Sequence, residues 1–157
     1  MVQAQAIQKG KKSACNVNNK LITGQLMNIE TLSDYISAKT LLGSIGENHR
    51  YIKTLLKSKV SIIKKVQSAM DEKARTKTPL DERQQRSFYE FTGLYAKEGG
   101  KLQQSLMRLE YIQNDLHTEN SEAFMLSLLL LQRHQKGAIT SLRLMIASAK
   151  KTLDILR

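Results

Sequence analysis

The chain has 157 residues, enough for one domain with a sizeable core, and its single Pro, lack of Trp and 5% aromatic content favour helix over sheet. A formal net charge of +11 suits anionic partners, whether nucleic acid, acidic lipid or acidic protein. The lone Cys15 excludes an intrachain disulfide framework, and the strongest apolar run, Leu128 to Leu131, is far below the roughly 20 residues that span a bilayer.

Residues 1–26 carry Lys9, Lys11, Lys12 and Lys20 with no acid and no apolar stretch of the signal-peptide kind. They are expected to form a mobile basic arm ahead of one helical domain, residues 27–157, in a cytoplasmic protein. The first periodic segment begins near Asn28, a favourable N-cap residue. Its apolar stripe runs through Ile29, Leu32 and Ile36, then Leu42, Ile45, His49, Ile52, Leu56, Lys59, Ile63, Val66 and Met70. Gly43 and Gly46 fall within it, each costing about 1 kcal/mol against Ala in a helix. The steps of three and four keep their phase across both, so the spacing predicts one bent helix; a break there would make two.

The outer side of that segment is basic. Residues 47–77 hold nine basic groups against three acidic ones. Arg50, Lys53, Lys57 and Lys64 recur at intervals of three, four and seven, which lines them along one side of a helix. They form a candidate docking stripe for an anion or nucleic acid; the plainer reading is a solvated face that keeps a small bundle soluble.

Thr76-Lys77-Thr78-Pro79-Leu80-Asp81 punctuates the chain. A second helix is expected here, with Thr78 as cap, Pro79 in the first turn and Asp81 answering the Thr78 N–H. Its stripe is Gln84, Phe88, Phe91, Tyr95, Glu98, Leu102, Ser105, Leu109, Ile112 and Leu116; Gly99-Gly100 is expected to bend the helix, the other readings being a local unwinding or the close approach of a neighbouring helix. After the polar cluster Thr118 to Glu122, the final segment from Ser121 to Arg157 repeats the pattern. Phe124, Leu128, Leu131, Gln135, Ala138, Leu142, Met145, Ala149, Thr152 and Leu156 form its central stripe. Met125, Leu129, Ile139, Ile146 and Leu153 widen it to the breadth of a core-facing helix. The last two segments are nearly equal in length and closely joined, as antiparallel neighbours are. The fold class is therefore all-α: an elongated antiparallel bundle of three long helices, four if the first breaks at Gly43/Gly46. Lys59, Gln135 and Thr152 are expected at the rims of the seams, the other reading being that they fix register and partner choice, and Met70, Met107, Met125 and Met145 as core filler.

No pattern carries chemistry. His49, His117 and His134 are not spaced to share a helical metal site, and no Glu-x-x-His occurs. Cys15 has no base held near it, and neither Gly43-x-x-Gly46 nor Gly99-Gly100 matches a phosphate-cradling loop. The paired acids Asp71-Glu72 and Asp81-Glu82 flank a turn, where solvation and helix-end compensation account for them. A non-enzymatic interaction protein is expected, with no cofactor, metal, small-molecule substrate or membrane partner. It would be an adaptor, assembly factor or export chaperone that binds a partner or a second copy of itself. Leu128, Leu131, Leu142 and Met145 are the expected partner-helix face. In size, helical content and lack of catalytic motifs the chain is similar in format to the small helical chaperones and accessory proteins of bacterial secretion and flagellar systems. The alternative is a sequence-independent nucleic-acid-binding protein that uses residues 47–77 and the basic arm.

Overall fold

The computed structural model describes residues 32–116 and 120–157. The expected arm, the helix start at Asn28, Cys15 and His117 lie outside them. Three helices follow in order: α1 (Leu32–Arg75), α2 (Glu82–Asn114) and α3 (Ser121–Leu156). Every regular element among the described residues is helical, as the periodicity predicts. At about 1.5 Å per residue, the 44 residues of α1 extend roughly 66 Å, so the fold is elongated. α1 is one helix: Gly43 and Gly46 do not break it, nor do Gly99 and Gly100 break α2. The apolar stripe holds its phase through both sites, and its burial outweighs about 1 kcal/mol per glycine.

The helix ends differ from the sequence expectation. The N-cap of α2 is Asp81, not Thr78. Its carboxylate accepts from the Gln84 N–H at 2.8 Å while Gln84 Oε1 accepts from the Asp81 N–H at 3.1 Å, a complete capping box. Thr78 instead shares a hydroxyl contact of 2.8 Å with Thr76, closing the end of α1 beside Lys77, which takes φ 52°. Two capping residues competed for one start, and the one with a Gln three positions on prevailed. α3 is capped by Asn120, whose side chain accepts from the Glu122 and Ala123 N–H groups.

Side-chain pairs fix the directions. Ser87 meets Thr152 and Glu98 meets Ser141, so α2 and α3 run antiparallel. Ala38 and Ile45 pack with Phe124 to Leu131, and Ile52 to Val66 with Ala138 to Leu156, so α1 and α3 run parallel; Gln132 reaches Ser44 and Gln135 the Ile45 carbonyl between them. α3 packs along both other helices, whereas α1 and α2 nowhere bring two Cα atoms within 8 Å of each other. The last helix is thus the middle one, flanked rather than stacked at a corner. The core consequently has two blocks. One joins Ala38 and Ile45 to Leu109, Leu116, Phe124, Leu128 and Leu131; the other joins Ile52 to Val66 with Phe91, Leu102 and α3 from Ala138 onward.

Candidate functional site

Between the two blocks lies a polar layer. Gln135 is 1% exposed and donates through Nε2 to the Ile45 carbonyl at 3.0 Å, while its Oε1 has no partner among the described residues. His49 Nε2 and Asn48 Nδ2, from the following turn of α1, are likewise buried without a hydrogen bond. Burial, reinforced by the Lys53 and Arg50 cations, pushes the His49 imidazole down to about 4, so it is neutral at physiological pH. The rim expectation fails for Gln135 and Thr152, both 1% exposed, because a helix with neighbours on two sides has no rim where they sit. It holds in part for Lys59, half-buried with its Nζ 5.8 Å from the centre of the Tyr95 ring.

The α2–α3 seam is also keyed by polar groups. The Ser87 and Thr152 hydroxyls are 3.1 Å apart, and Ser141 Oγ donates to the buried Glu98 carboxylate at 3.0 Å. Lys101 Nζ lies 3.5 Å from the other Glu98 oxygen. Glu98 therefore occupies its stripe position with a charge that is paired and bonded, which is what permits its burial. Beside it a cleft of about 440 Å³ is lined by Lys101, Ser105, Arg108, His134 and Thr140. Burial and the nearby Arg108 and Arg133 hold the His134 imidazole below its ordinary value. Among the described residues no three His, Cys, Asp or Glu group as a metal site requires.

A second concavity, about 380 Å³, follows from the separation of α1 and α2. Leu56 and Lys59 form one wall, Tyr95, Leu102 and Leu106 the other, with Met145 and Gly99 at the base and Glu110 and the exposed Met107 at the outer margin of α2. Of the side chains expected to meet a partner helix, Leu128, Leu131, Leu142 and Met145, none is more than 1% exposed. They are the centre of the intrachain core. Their face is filled by α1 and α2 of the same chain, because those two helices approach α3 from both sides. Met107, expected in the core, is instead 61% exposed.

Arg50, Lys53, Lys57 and Lys64 are all exposed, on the side of α1 turned away from Ile45, Ile52 and Val66. None of the four has an ion-pair partner among the described residues. The stripe is brought together as the spacing implies, over roughly 21 Å of helix from residue 50 to residue 64. Missed by the sequence reading were the exposed Tyr89 and Tyr111 of α2. Their signal was present as a second run of uncharged residues half a turn from the core stripe.

No helix among the described residues is long and apolar enough to cross a membrane. Comparison of the chain with protein-family models, with curated proteins and with solved structures finds no match in any of the three.

Proposed function

We propose that the protein is a non-enzymatic, cytoplasmic interaction module, an adaptor, assembly factor or export chaperone. Its groove between α1 and α2 receives an amphipathic helix of a partner protein. The observation that carries this reading is the gap itself: α3 packs on both flanking helices, whose Cα atoms nowhere come within 8 Å of each other, and the concavity between them is lined mainly by apolar side chains, with Lys59 reaching across it to the Tyr95 ring. A helix laid there would complete a four-helix arrangement and cover Leu56 and Leu106. Lys59 and Glu110 at the edges supply one charge of each sign for fixing its direction.

The test is affinity purification from the native host with mass spectrometry, comparing wild type with Gly99→Phe and Lys59→Glu. Gly99 lines the groove and a Cβ built on it meets only Met145 Cε, at an ordinary 3.9 Å, so a side chain there starts without a clash and projects from the groove lining. Loss of a specific partner in both variants, with unchanged circular dichroism, supports the reading. Retention of that partner in both overturns it.

A second reading rests on the exposed, unpaired stripe Arg50, Lys53, Lys57 and Lys64. Such a stripe would contact the backbone of a nucleic acid without reading its sequence, and each phosphate neutralised adds about −0.9 to the slope of log affinity against log salt. An electrophoretic shift series in salt, with Lys53, Lys57 and Lys64 changed to Glu, decides it. Binding that survives the triple change removes this surface from consideration.

A further inference from the structure

Between Tyr89 and Tyr111 the outer side of α2 carries no charge; Glu82 and Arg86, which pair with each other, lie on the same side ahead of it. Stepping by half a turn from the buried Phe91, Glu98, Leu102 and Leu109 leads to Tyr89, Gly93, Ala96, Gly100, Gln104, Met107 and Tyr111, all exposed and all but Gln104 small or apolar. Tyr89 is 81%, Met107 61% and Tyr111 72% exposed, which is unusual for three large apolar side chains on one helix face. Gly93 and Gly100 have no intrachain reason to be glycine: a Cβ built on either meets nothing within 4 Å. Small residues between large apolar ones are what two closely approaching helices need.

The spacing names the occupant. Tyr89 and Tyr111 each lie eleven residues from Gly100, and Gly93 and Met107 each lie seven. We propose that this face binds a second copy of the chain, α2 lying antiparallel on α2 with the two-fold axis passing beside Gly100. Tyr89 then stacks near Tyr111 of the second copy, Met107 fills the space left by Gly93, and the two Gly100 residues allow the backbones to approach. An isologous contact of this kind is self-complementary by construction.

Charge agrees with that register. In an antiparallel pair each flank meets its own equivalent. On one flank Glu90 and Arg108 lie ten and eight residues from Gly100, so Glu90 of each copy faces Arg108 of the other. Neither has an ion-pair partner within its own chain among the described residues. Lys97 approaches Lys101 of the second copy nearer the centre, but Lys101 already sits 3.5 Å from Glu98, which compensates it. The contact is about 33 Å long and one helix wide, which places it at the small end of specific interfaces, so the dimer should be concentration-dependent.

Sedimentation velocity across a concentration series tests the proposal on the full chain. Wild type should move from monomer to dimer; a particle that stays monomeric throughout overturns it. Gly100→Leu should raise the dissociation constant by about tenfold or more while leaving the thermal midpoint unlowered, since the new side chain meets nothing in the monomer. Glu90→Arg should weaken the dimer and Glu90→Arg with Arg108→Glu should restore it; failure of that rescue rejects the register. In a Cys15→Ser background, Gly100→Cys should oxidise to a covalent dimer while Lys57→Cys on α1 should not. Equal crosslinking of the two would also reject it. Gly99→Phe lies off this face and should leave dimerisation intact, which separates the result from that of the partner groove.

Discussion

α3 and α2 are close in length, 36 and 33 residues, yet α3 buries thirteen side chains and α2 six. The difference does not come from a stronger helical pattern in α3, since both stripes follow the same steps of three and four. It comes from position: a middle helix is covered along two lines, a flanking helix along one. The middle helix also carries the polar keys for both neighbours. Gln135 bonds to the Ile45 carbonyl of α1, while Ser141 and Thr152 bond to Glu98 and Ser87 of α2. Apolar burial supplies most of the driving force, and these few directional contacts choose the register in which it is collected.

Leu142 is fully buried in α3, so Leu142→Ala should cost about 3 kcal/mol, within the 2–5 kcal/mol usual for emptied core sites. Tyr89→Ala on α2 should cost under about 0.5 kcal/mol to the monomer. Urea unfolding of both, at a concentration that keeps the chain monomeric, would break the comparison if the two losses came out equal.

His49 sharpens it from the other flank. Its folded value of about 4 lies below the ordinary 6.5, so the unfolded chain takes up the proton first as pH falls. The stability it contributes is fully present above pH 6.5, declines as pH falls, and is lost once pH passes below about 4. At 1.36 kcal/mol per unit the shift sets an upper bound of about 3 kcal/mol, and solvent screening of the ring brings the loss below it. Replacing His49 with Leu should remove that part of the acid dependence, read as the difference between the two unfolding curves across this window. His134 is shifted in the same direction and adds a slope of the same sign.

Ser141→Ala should cost about 1–3 kcal/mol, because it leaves one oxygen of the buried Glu98 without its donor. Adding Glu98→Leu should recover most of the loss if the key serves register alone. A last pair compares two glycines. Gly100→Ala should stabilise the monomer by up to about 1 kcal/mol, since its Cβ enters open space. Gly137→Ala should gain less, because its Cβ would stand 3.3 Å from Ser105 Oγ on α2. Thermal melts at low protein concentration measure both.

The three rods, most of their stripe residues and the exposed basic stripe were legible in the sequence because period and charge placement are local properties; Ile36 and Leu129, expected on the apolar faces, are instead exposed. What lay beyond reach was which rod sits in the middle. Leu128, Leu131, Leu142 and Met145 look the same in a sequence whether another protein or the chain's own α1 and α2 cover them. The same ambiguity sent Gln135 and Thr152 to a rim that the middle helix does not have. Met107 was misplaced because its residue type outweighed its phase: it falls with Tyr89 and Tyr111, on the far side of α2 from Leu102 and Leu109. Thr78 and Asp81 were both credible caps, and only the reciprocal bond to Gln84 separates them.

The break in the core at His49 and Gln135 gives the molecule a natural point of unzipping. Below it, the block from Ile52 to Val66 is tied to the Asp81 cap and to a Gln84 amide that donates to the Ile155 carbonyl. Above it, Ala38, Ile45, Phe124, Leu128 and Leu131 depend on each other and on the far end of α2. Amide exchange should accordingly come in two tiers. The upper turns of α1 and α3 should release their protons while the lower turns of the same two helices still hold theirs, so that one continuous helix reports two different lifetimes along its length.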